Sequence, residues 1–206
     1  MKNLFIYGYG YTAHNFVNKF RNEFSNIIGY TRNKVSINSA DECVHFIEKN
    51  QISDYLTNDY FSHVLISIPP SKDGDFFYLD HGKSIEKLKK IQWIGYLSAT
   101  NVYGDHNGRY VHESSDTNPT TQKGKNRLLA ETQLLTLCKR LNFAIHIFRI
   151  AGIYGPNRNI IKKIREQKIQ NIEKKNQFFS RIFIDDLVTI LSTSMSYPNP
   201  LSIYNV

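Results

Sequence analysis

The sequence predicts an α/β fold, in which a doubly wound and mostly parallel β-sheet carries helices on both faces. Short apolar runs alternate with helical patterns along the chain, which is typical of repeated β-α units. The first apolar run ends in a glycine-rich turn and a helix start. With 206 residues, of which 41% are hydrophobic, the chain has the size and composition of one globular domain with a sizeable core.

Strands and helices are predicted in alternation. The predicted strands are Leu4–Tyr7, Ile27–Tyr30, Cys43–Ile47, His63–Ile68, Trp93–Ser98 and Ala144–Ile150. The predicted helices are Thr12–Phe24, Ser84–Lys90, Lys125–Leu141 and Asp185–Met195. Asn33–Asp41 is too short and polar for a crossover helix, so an irregular connection is predicted there. Pro69–Gly82 and Thr100–Gln122 are predicted as long loops, and because both follow strands they should lie at the carboxyl edge of the sheet, where ligands bind in open α/β folds.

The glycine-rich turn after the first strand predicts a nucleotide site rather than a purely structural turn. The strand, turn and helix start follow the order that the dinucleotide-binding unit of a Rossmann-type fold requires. Gly8 allows a sharp turn, Gly10 leaves room for a pyrophosphate, and Ala13 is small enough for the helix to pack on the strand. The helix N-terminus offers unpaired N–H groups to phosphates. The predicted cofactor-binding residues of this turn are Gly8, Tyr9, Gly10, Tyr11, Thr12 and Ala13.

The end of the second strand indicates which dinucleotide the site prefers. An acid at this position usually accepts the ribose 2′-hydroxyl of NAD, whereas an arginine accommodates the 2′-phosphate of NADP. The strand continues into Thr31 and Arg32 without an acid. We therefore expect NADP(H) to be favoured over NAD(H), with Thr31 and Arg32 in the cofactor site; the alternative is that Arg32 is only a surface residue.

The net charge of +8 at pH 7 is spread along the chain, and its densest cluster is Lys162–Lys175. The isoleucine spacing of this segment fits an amphipathic helix with a solvated basic face. Such a face is interpreted as solvated surface or as the rim of an anionic-substrate site. No recognisable nucleic-acid module accompanies it, so a nucleic-acid partner is not predicted.

The cysteine, histidine and hydropathy patterns argue against a disulfide-rich protein, a metalloprotein and a membrane protein. Cys43 and Cys138 are too few and too distant for a disulfide framework or a metal site, and both are predicted to be buried and reduced. His106 and His112 do not have the spacing of a metal set, so no metal is predicted. No stretch approaches the roughly 20 apolar residues of a membrane span, and no signal segment precedes the first strand, so a cytoplasmic protein is expected.

Further motifs resemble those of one enzyme family. Tyr96–Asp105 resembles the SSxxVYGD segment of extended short-chain dehydrogenases/reductases, the NAD(P)-dependent epimerase/dehydratase family. Phe148–Pro156 is similar to the family's LRxxxxYGP segment, and Ser180–Leu187 is similar to its xRxxxVDDL segment. Ile203–Val206 matches the family's xYNV strand, and Ile66–Pro70 is similar to a subgroup of atypical members. Together with the glycine turn, these landmarks run through the chain in the family's order.

The resemblance implies a domain organisation and a chemistry. Residues 1–150 would form an NAD(P)-binding Rossmann domain, and residues 151–206 would add a small, incomplete C-terminal substrate lobe packed on the same domain. The implied activity is that of an epimerase/dehydratase- or reductase-like oxidoreductase, acting on a sugar nucleotide or a small carbonyl compound with hydride transfer by the nicotinamide. A homodimer through the helix Lys125–Leu141 is implied as well. The family usually continues beyond the xYNV strand, so we expect a short or truncated lobe after Val206.

The resemblance also carries residue roles over to this chain. It places Ser67, Ile68, Pro69, Ser98 and Arg127 in the cofactor site. Arg181 matches a position that meets a substrate phosphate in nucleotide-sugar enzymes. The equal alternative is that Arg181 pairs with Asp185 or Asp186 and orders the start of a helix.

The family's catalytic pattern is replaced in this chain. The family uses a Ser or Thr just after the fifth strand, and a Tyr and a Lys four residues apart on the next helix. Aligned on the Val-Tyr-Gly landmark, the serine position falls on Ala99. The family's PxxxYGxSK helix start corresponds to Pro119–Arg127, which places the tyrosine position at Lys123 and the lysine position at Arg127. Ser98 lies one residue earlier and, by strand alternation, should point to the opposite side. The substitute catalytic candidates are Thr100, Tyr103 and Lys123.

These replacements leave an alternative function open. A non-catalytic protein that senses or scaffolds through NADP(H) occupancy is favoured by the missing proton relay, whereas an enzyme is favoured by the two substrate-lobe landmarks. An RNA-associated basic protein is a minor third alternative.

Overall fold

The apolar runs of the sequence form a seven-stranded sheet in which every neighbouring pair of strands is parallel. A computed structural model describes residues 2–32, 41–166 and 178–206. The strands are β1 (Asn3–Tyr7), β2 (Asn26–Tyr30), β3 (Val44–Phe46), β4 (His63–Ile66), β5 (Trp93–Ala99), β6 (Ile145–Ile150), β7 (Gly152–Tyr154), β8 (Arg181–Phe183) and β9 (Leu201–Asn205). The order in the main sheet is β3-β2-β1-β4-β5-β6-β9, and β7 pairs with β8 in a separate small sheet.

Helices cover both faces of the main sheet. They are α1 (Tyr11–Phe20), α2 (Ile52–Thr57), α3 (Phe76–Ile85), α4 (Gln122–Leu141), α5 (Ile160–Arg165) and α6 (Ile184–Ser196). Helices α1 and α6 pack with Leu4 and Ile6 of β1 on one face, and α2, α3 and α4 pack with Phe5 and Tyr7 on the other. Successive side chains of a strand point to opposite faces, so a strand covered on both sides is apolar throughout. The predicted α/β fold class is confirmed.

The predicted strands are present, with ends that differ by a few residues, but the region after β4 was predicted wrongly. Pro69–Gly82 is not a loop throughout, because α3 begins at Phe76 within it. The Asp75 carboxylate caps α3 by accepting the Tyr78 N–H at 2.9 Å. The helix ends at Ile85, so most of the predicted helix Ser84–Lys90 lies beyond it.

Other boundaries moved less. The predicted first helix shortens, because α1 ends at Phe20 and a 3₁₀ turn follows. The helix α2 was not predicted, since its six residues are too few to show a helical period. The irregular connection predicted at Asn33–Asp41 lies outside the described residues, except for Asp41.

One prediction about exposure was wrong, and a second lies mostly outside the described residues. Cys138 is buried as expected, but Cys43 is exposed and precedes β3 instead of lying within a strand. An amphipathic helix was predicted over Lys162–Lys175. The structure describes only its beginning, where α5 ends at Arg165, and residues 167–177 lie outside the described residues. Ile160, Ile161 and Ile164 of this helix are mostly exposed, so the described residues do not cover its apolar side.

Within the described residues, the structure contains no helix with the length and hydropathy needed to cross a membrane.

Candidate functional site

The glycine turn lies at the carboxyl edge of the sheet, between the ends of β1, β2 and β4. The N–H groups of Gly8 and Tyr9 both donate to the Tyr30 carbonyl at 2.9 Å, which ties the turn to the end of β2. On the other side, the Ser67 hydroxyl donates to the Gly8 carbonyl, and the Ser67 N–H donates to the Tyr7 carbonyl at 2.9 Å. The sheet therefore fixes the turn from two neighbouring strands.

Gly8 is required at its position by conformation and by space. Its φ of +112° is a value that side chains disfavour. A Cβ there would lie 2.7 Å from Ile68 Cγ1 and 2.7 Å from Ser67 Oγ. The segment Ser67–Pro69, which the sequence assigned to the cofactor site, thus packs directly against the turn. Within it, Ile68 is buried and Pro69 is exposed.

Gly10 has the opposite surroundings, and they suit an anion. It precedes α1 as the N-cap residue, and no side chain caps the helix. The first turn of α1 holds no acid. A Cβ on Gly10 would meet no atom within 4 Å beyond its chain neighbours, so the space beside the helix N-terminus is open. Uncapped N–H groups, a positive helix end and open space are what a phosphate group needs.

The next residues of the turn serve mainly to anchor it. The Tyr9 hydroxyl donates to Asp41 Oδ1 at 2.5 Å, and His14 Nδ1 lies 2.8 Å from the same oxygen. Thr12 and Ala13 are buried in the first turn of α1. Tyr9 and His14 thereby fix the start of α1 to the chain just before β3.

Thr31 and Arg32 follow β2 beside the turn, as the sequence predicts. Thr31 is half-buried and Arg32 is exposed. The Arg32 guanidinium carbon lies 5.5 Å from the centroid of the Phe76 ring at the start of α3. An arginine held over an aromatic ring keeps its N–H donors at the ring's edge, free to face solvent or a ligand.

A buried ion-pair network lies under the loop that follows β5. The Arg149 guanidinium of β6 and the Glu131 carboxylate of α4 pair at 2.9 Å, with side chains only 5% and 2% exposed. The Ser98 hydroxyl donates to Glu131 at 2.5 Å. Burial alone would lower the pKa of Arg149, but its hydrogen bonds to Glu131 and Tyr103 outweigh burial and raise it. Arg149 is therefore held in its charged form inside the core.

The same network extends to the C-terminal strand. Arg149 Nη1 donates to the Tyr103 hydroxyl at 3.0 Å, and that hydroxyl donates to Asn205 Oδ1 at 2.6 Å. The Asn205 N–H donates to the Glu113 carboxylate at 2.8 Å. Two predicted site residues, Ser98 and Tyr103, are thus buried, with hydroxyls engaged in structural hydrogen bonds. The sequence carries one signal for this network, since Arg149 and Glu131 stand at positions that a strand and a helix bury.

Comparison with known proteins identifies solved structures that share this arrangement. No family model and no curated protein matches the chain. Among solved structures, a conserved protein of unknown function from Silicibacter pomeroyi is 34% identical, with a TM-score of 0.87 over 100% of this chain and 72% of that chain. A UDP-N-acetylglucosamine 4-epimerase from Methanobrevibacter ruminantium, solved with UDP-N-acetylmuramic acid, has a TM-score of 0.81 at 13% identity, covering 100% of this chain and 76% of that chain. This chain therefore shares its fold with NAD-dependent epimerases and dehydratases.

A third structure of the same fold carries a dinucleotide. It is a dTDP-glucose 4,6-dehydratase from Bacillus anthracis in complex with NAD, with a TM-score of 0.75 at 14% identity, covering 100% of this chain and 75% of that chain. The epimerase/dehydratase resemblance seen in the sequence is confirmed at the level of the fold.

The positions where this chain departs from the catalytic pattern that its sequence resembles lie together in the structure. Thr100 opens a 3₁₀ turn directly after β5 and is half-buried. A Cβ on Gly124 would lie 2.5 Å from the Asn101 carbonyl, so the start of α4 packs against that turn. Lys123 precedes Gly124 and is exposed. Arg127 Nη1, one turn further along α4, donates to the Leu97 carbonyl at 2.8 Å.

Arg181, which matches the phosphate-contacting position of the family, lies at the start of β8. Its Nη1 donates to the Ser180 carbonyl at 3.1 Å, and its guanidinium carbon lies 5.0 Å from the Phe179 ring centroid. Within the described chain, it forms no ion pair with Asp185 or Asp186, so the alternative of helix-start pairing is not what the structure shows. The Arg181 side chain is exposed and available to an anion.

Asp75 is a buried carboxyl group that should make the stability of the protein depend on pH. It is 0% exposed, and its Oδ2 has no hydrogen-bond partner among the described residues. Burial raises the pKa of Asp75 to about 6. The folded state therefore holds this proton more tightly than the unfolded state, so its stabilising effect is full at low pH and is lost as pH rises through about 6.

We expect the Asp75→Asn variant to reveal this effect in urea unfolding measured from pH 4 to pH 7. Relative to that variant, the wild-type protein should lose about 2–3 kcal/mol of unfolding free energy as pH rises, since each pKa unit corresponds to about 1.4 kcal/mol. All other groups titrate alike in both proteins and cancel in the difference. A difference that stays constant over this pH range would contradict the raised pKa.

Proposed function

We propose that the chain binds NADP(H), in preference to NAD(H), at the carboxyl edge of the sheet. The observation that carries this proposal is the uncapped N-terminus of α1 with open space beside Gly10. A chain that needed this turn only for structure would gain stability from a capping side chain and would have no use for the open space. The NAD held by the Bacillus anthracis dehydratase of the same fold supports a dinucleotide as the ligand.

The residues present fit the cofactor part by part. The N–H groups at the start of α1, from Tyr11 and Thr12, would hold the diphosphate. Arg32 would hold the 2′-phosphate, because no acid stands at the end of β2 to accept a free ribose hydroxyl. Thr31 and the segment Ser67–Pro69 would line the adenosine side. When bound, the nicotinamide supplies a hydride-transfer centre.

We propose further that the site acts on a sugar nucleotide or a small carbonyl compound, as an epimerase/dehydratase- or reductase-like enzyme. The groups of this chain near the end of β5 are the Thr100 hydroxyl and the Lys123 ammonium, and either can hold a proton close to a substrate oxygen. The Arg127 guanidinium would bind a ribose or phosphate oxygen through its N–H donors. Exposed Arg181 would contact a phosphate of the substrate.

The cofactor preference is tested with the Arg32→Asp variant. We expect its NADPH affinity to fall about ten- to a hundredfold, because charge-assisted hydrogen bonds to the 2′-phosphate are lost and a like charge is introduced. Its NADH affinity should stay the same or rise. The measurement is isothermal titration calorimetry with both cofactors.

A matched control separates local from general electrostatic effects. Arg21 lies in the 3₁₀ turn after α1, away from the carboxyl edge, and Arg21→Asp changes the net charge by the same amount. It should leave both affinities unchanged. An NADPH preference that survives in Arg32→Asp would overturn the assignment, and wild-type protein that binds neither cofactor would overturn the function.

A non-catalytic NADP(H)-binding protein is the second candidate, and specific observations favour it. The family's acid/base positions are Ala99, Lys123 and Arg127, and the nearby Tyr103 hydroxyl is buried in the ion-pair network. NADPH oxidation against a panel of sugar nucleotides and carbonyl compounds distinguishes the two. Tight binding without turnover across the panel would favour the non-catalytic function, and turnover of any member would exclude it.

A further inference from the structure

A tight turn after β7 brings an arginine over Tyr11, the residue that follows Gly10 of the glycine turn. Residues 155–158 close on themselves, since the Gly155 N–H donates to the Arg158 carbonyl at 3.1 Å and the Arg158 N–H donates to the Gly155 carbonyl at 3.0 Å. Asn157 supports the reversal with a positive φ of 60°. The backbone of this turn is therefore fixed by its own hydrogen bonds.

Tyr11, the first residue of α1, connects the two turns. Its hydroxyl donates to the Pro156 carbonyl at 2.9 Å. The approach is close, because a Cβ on Gly155 would lie 2.7 Å from the Tyr11 hydroxyl oxygen. The chain after β7 is thus fixed to the residue whose N–H group opens the helix.

Arg158 lies over this junction. Its guanidinium carbon is 5.4 Å from the centroid of the Tyr11 ring, and the residue is exposed. None of the ion pairs among the described residues involves Arg158. Burial raises the pKa of Tyr11, the positive charge of Arg158 lowers it, and Asp185 at the start of α6 raises it. Arg158 and Asp185 thus act on the same hydroxyl with opposite charge.

We propose that Arg158 binds the diphosphate of a nucleotide held at the N-terminus of α1. The helix N–H groups would contact the diphosphate from one side, and the Arg158 guanidinium, positioned by the Tyr11 ring, would contact it from the other. Tyr11 is a positioning residue in this arrangement. The proposal rests on the nucleotide-binding function proposed above. The diphosphate is that of the dinucleotide cofactor or that of a nucleotide-diphosphate substrate, which have the same chemistry at this point.

The experiment compares wild-type protein with Arg158→Gln by calorimetric titration with three probes. ADP-ribose carries the cofactor's diphosphate, adenosine 2′-monophosphate lacks it, and UDP carries the diphosphate of a nucleotide substrate. We expect Arg158→Gln to bind ADP-ribose about ten- to a hundredfold more weakly and adenosine 2′-monophosphate as well as wild type does. A loss confined to UDP would show that Arg158 binds the diphosphate of the substrate instead.

Two further variants make the result decisive. Arg158→Lys keeps the charge and should recover part of the lost affinity, and Arg21→Gln removes the same charge elsewhere and should leave all three affinities unchanged. Since Arg158 is exposed, its variants should unfold at the wild-type temperature.

The proposal is overturned if Arg158→Gln binds all three probes like wild type, or if it loses ADP-ribose and adenosine 2′-monophosphate equally. A wild-type protein that binds none of the probes and neither cofactor overturns the proposed function and this inference with it.

Discussion

Replacing Glu131 with alanine is expected to lower the free energy of unfolding by about 3–5 kcal/mol. The substitution leaves the Arg149 guanidinium, whose side chain is only 5% exposed, without its carboxylate partner. It also removes the acceptor of the Ser98 hydroxyl, which is buried beside it. A charge left unpaired in a protein interior costs far more than the same charge at the surface. Urea unfolding at neutral pH measures the change.

The surface ion pair of Arg140 and Glu86 provides the matched control. Its side chains are 60% and 41% exposed, so Glu86→Ala should change the unfolding free energy by about 1 kcal/mol or less. Glu131→Gln, which keeps an acceptor but removes the charge, should fall between the two. If Glu131→Ala and Glu86→Ala cost the same, the buried network does not hold the loop after β5.

The second large effect is expected in the glycine turn, where substitution of Gly8 should reduce stability and substitution of Gly10 should reduce cofactor binding. Gly8→Ala is expected to lower the free energy of unfolding by about 3 kcal/mol. The φ of +112° disfavours any side chain, and the new Cβ would lie 2.8 Å from the backbone nitrogen of Ile68. Ile68 is buried just after β4, so its backbone cannot move aside cheaply.

Gly10→Ala should instead spare the fold and damage binding. Its φ of −132° is open to alanine, and the new Cβ meets no atom within 4 Å. Loss of an N-cap glycine should cost about 1 kcal/mol or less. The methyl group would, however, occupy the space proposed for the diphosphate, so NADPH affinity should fall at least about tenfold. Unfolding and calorimetric titration of both variants measure the two effects separately.

Two results would contradict these predictions. Wild-type NADPH affinity in Gly10→Ala would mean that no diphosphate approaches α1 at this residue. Wild-type stability in Gly8→Ala would mean that the end of β4 does not confine the turn.

The sequence predicted the sheet and the glycine turn because both depend on local patterns. The run from Leu4 to Tyr7 can only be a strand covered on both faces, and Gly8 follows it at once. The start of α3 was missed because its decisive contact is a single Asp75 carboxylate that caps the Tyr78 N–H. Pro69 and Pro70 precede this helix, and they favoured a loop more strongly than the single Asp75 favoured a helix start.

The site residues were harder to predict, because their roles depend on contacts between distant segments. Tyr103 stands next to the family's catalytic turn in the sequence, yet its hydroxyl bonds to Asn205, 102 residues away. Strand alternation predicted that Ser98 points away from Ala99, but it did not indicate that the Glu131 carboxylate of α4 accepts a hydrogen bond from the Ser98 hydroxyl. Arg158 gave no signal, because only the fold brings it over Tyr11.

The all-parallel sheet has a consequence for how this protein folds. No two neighbouring strands can be joined by a hairpin, so each pairing must close a long stretch of chain. Leu4 of β1, for example, pairs with His63 of β4, and Ile145 of β6 pairs with Leu201 of β9. Folding through such distant pairings is slow, and it leaves the apolar central strands exposed to other chains until the sheet closes. The continuous apolar strands that stabilise the folded core can thus also cause aggregation during folding. Refolding should therefore succeed best at low protein concentration and low temperature.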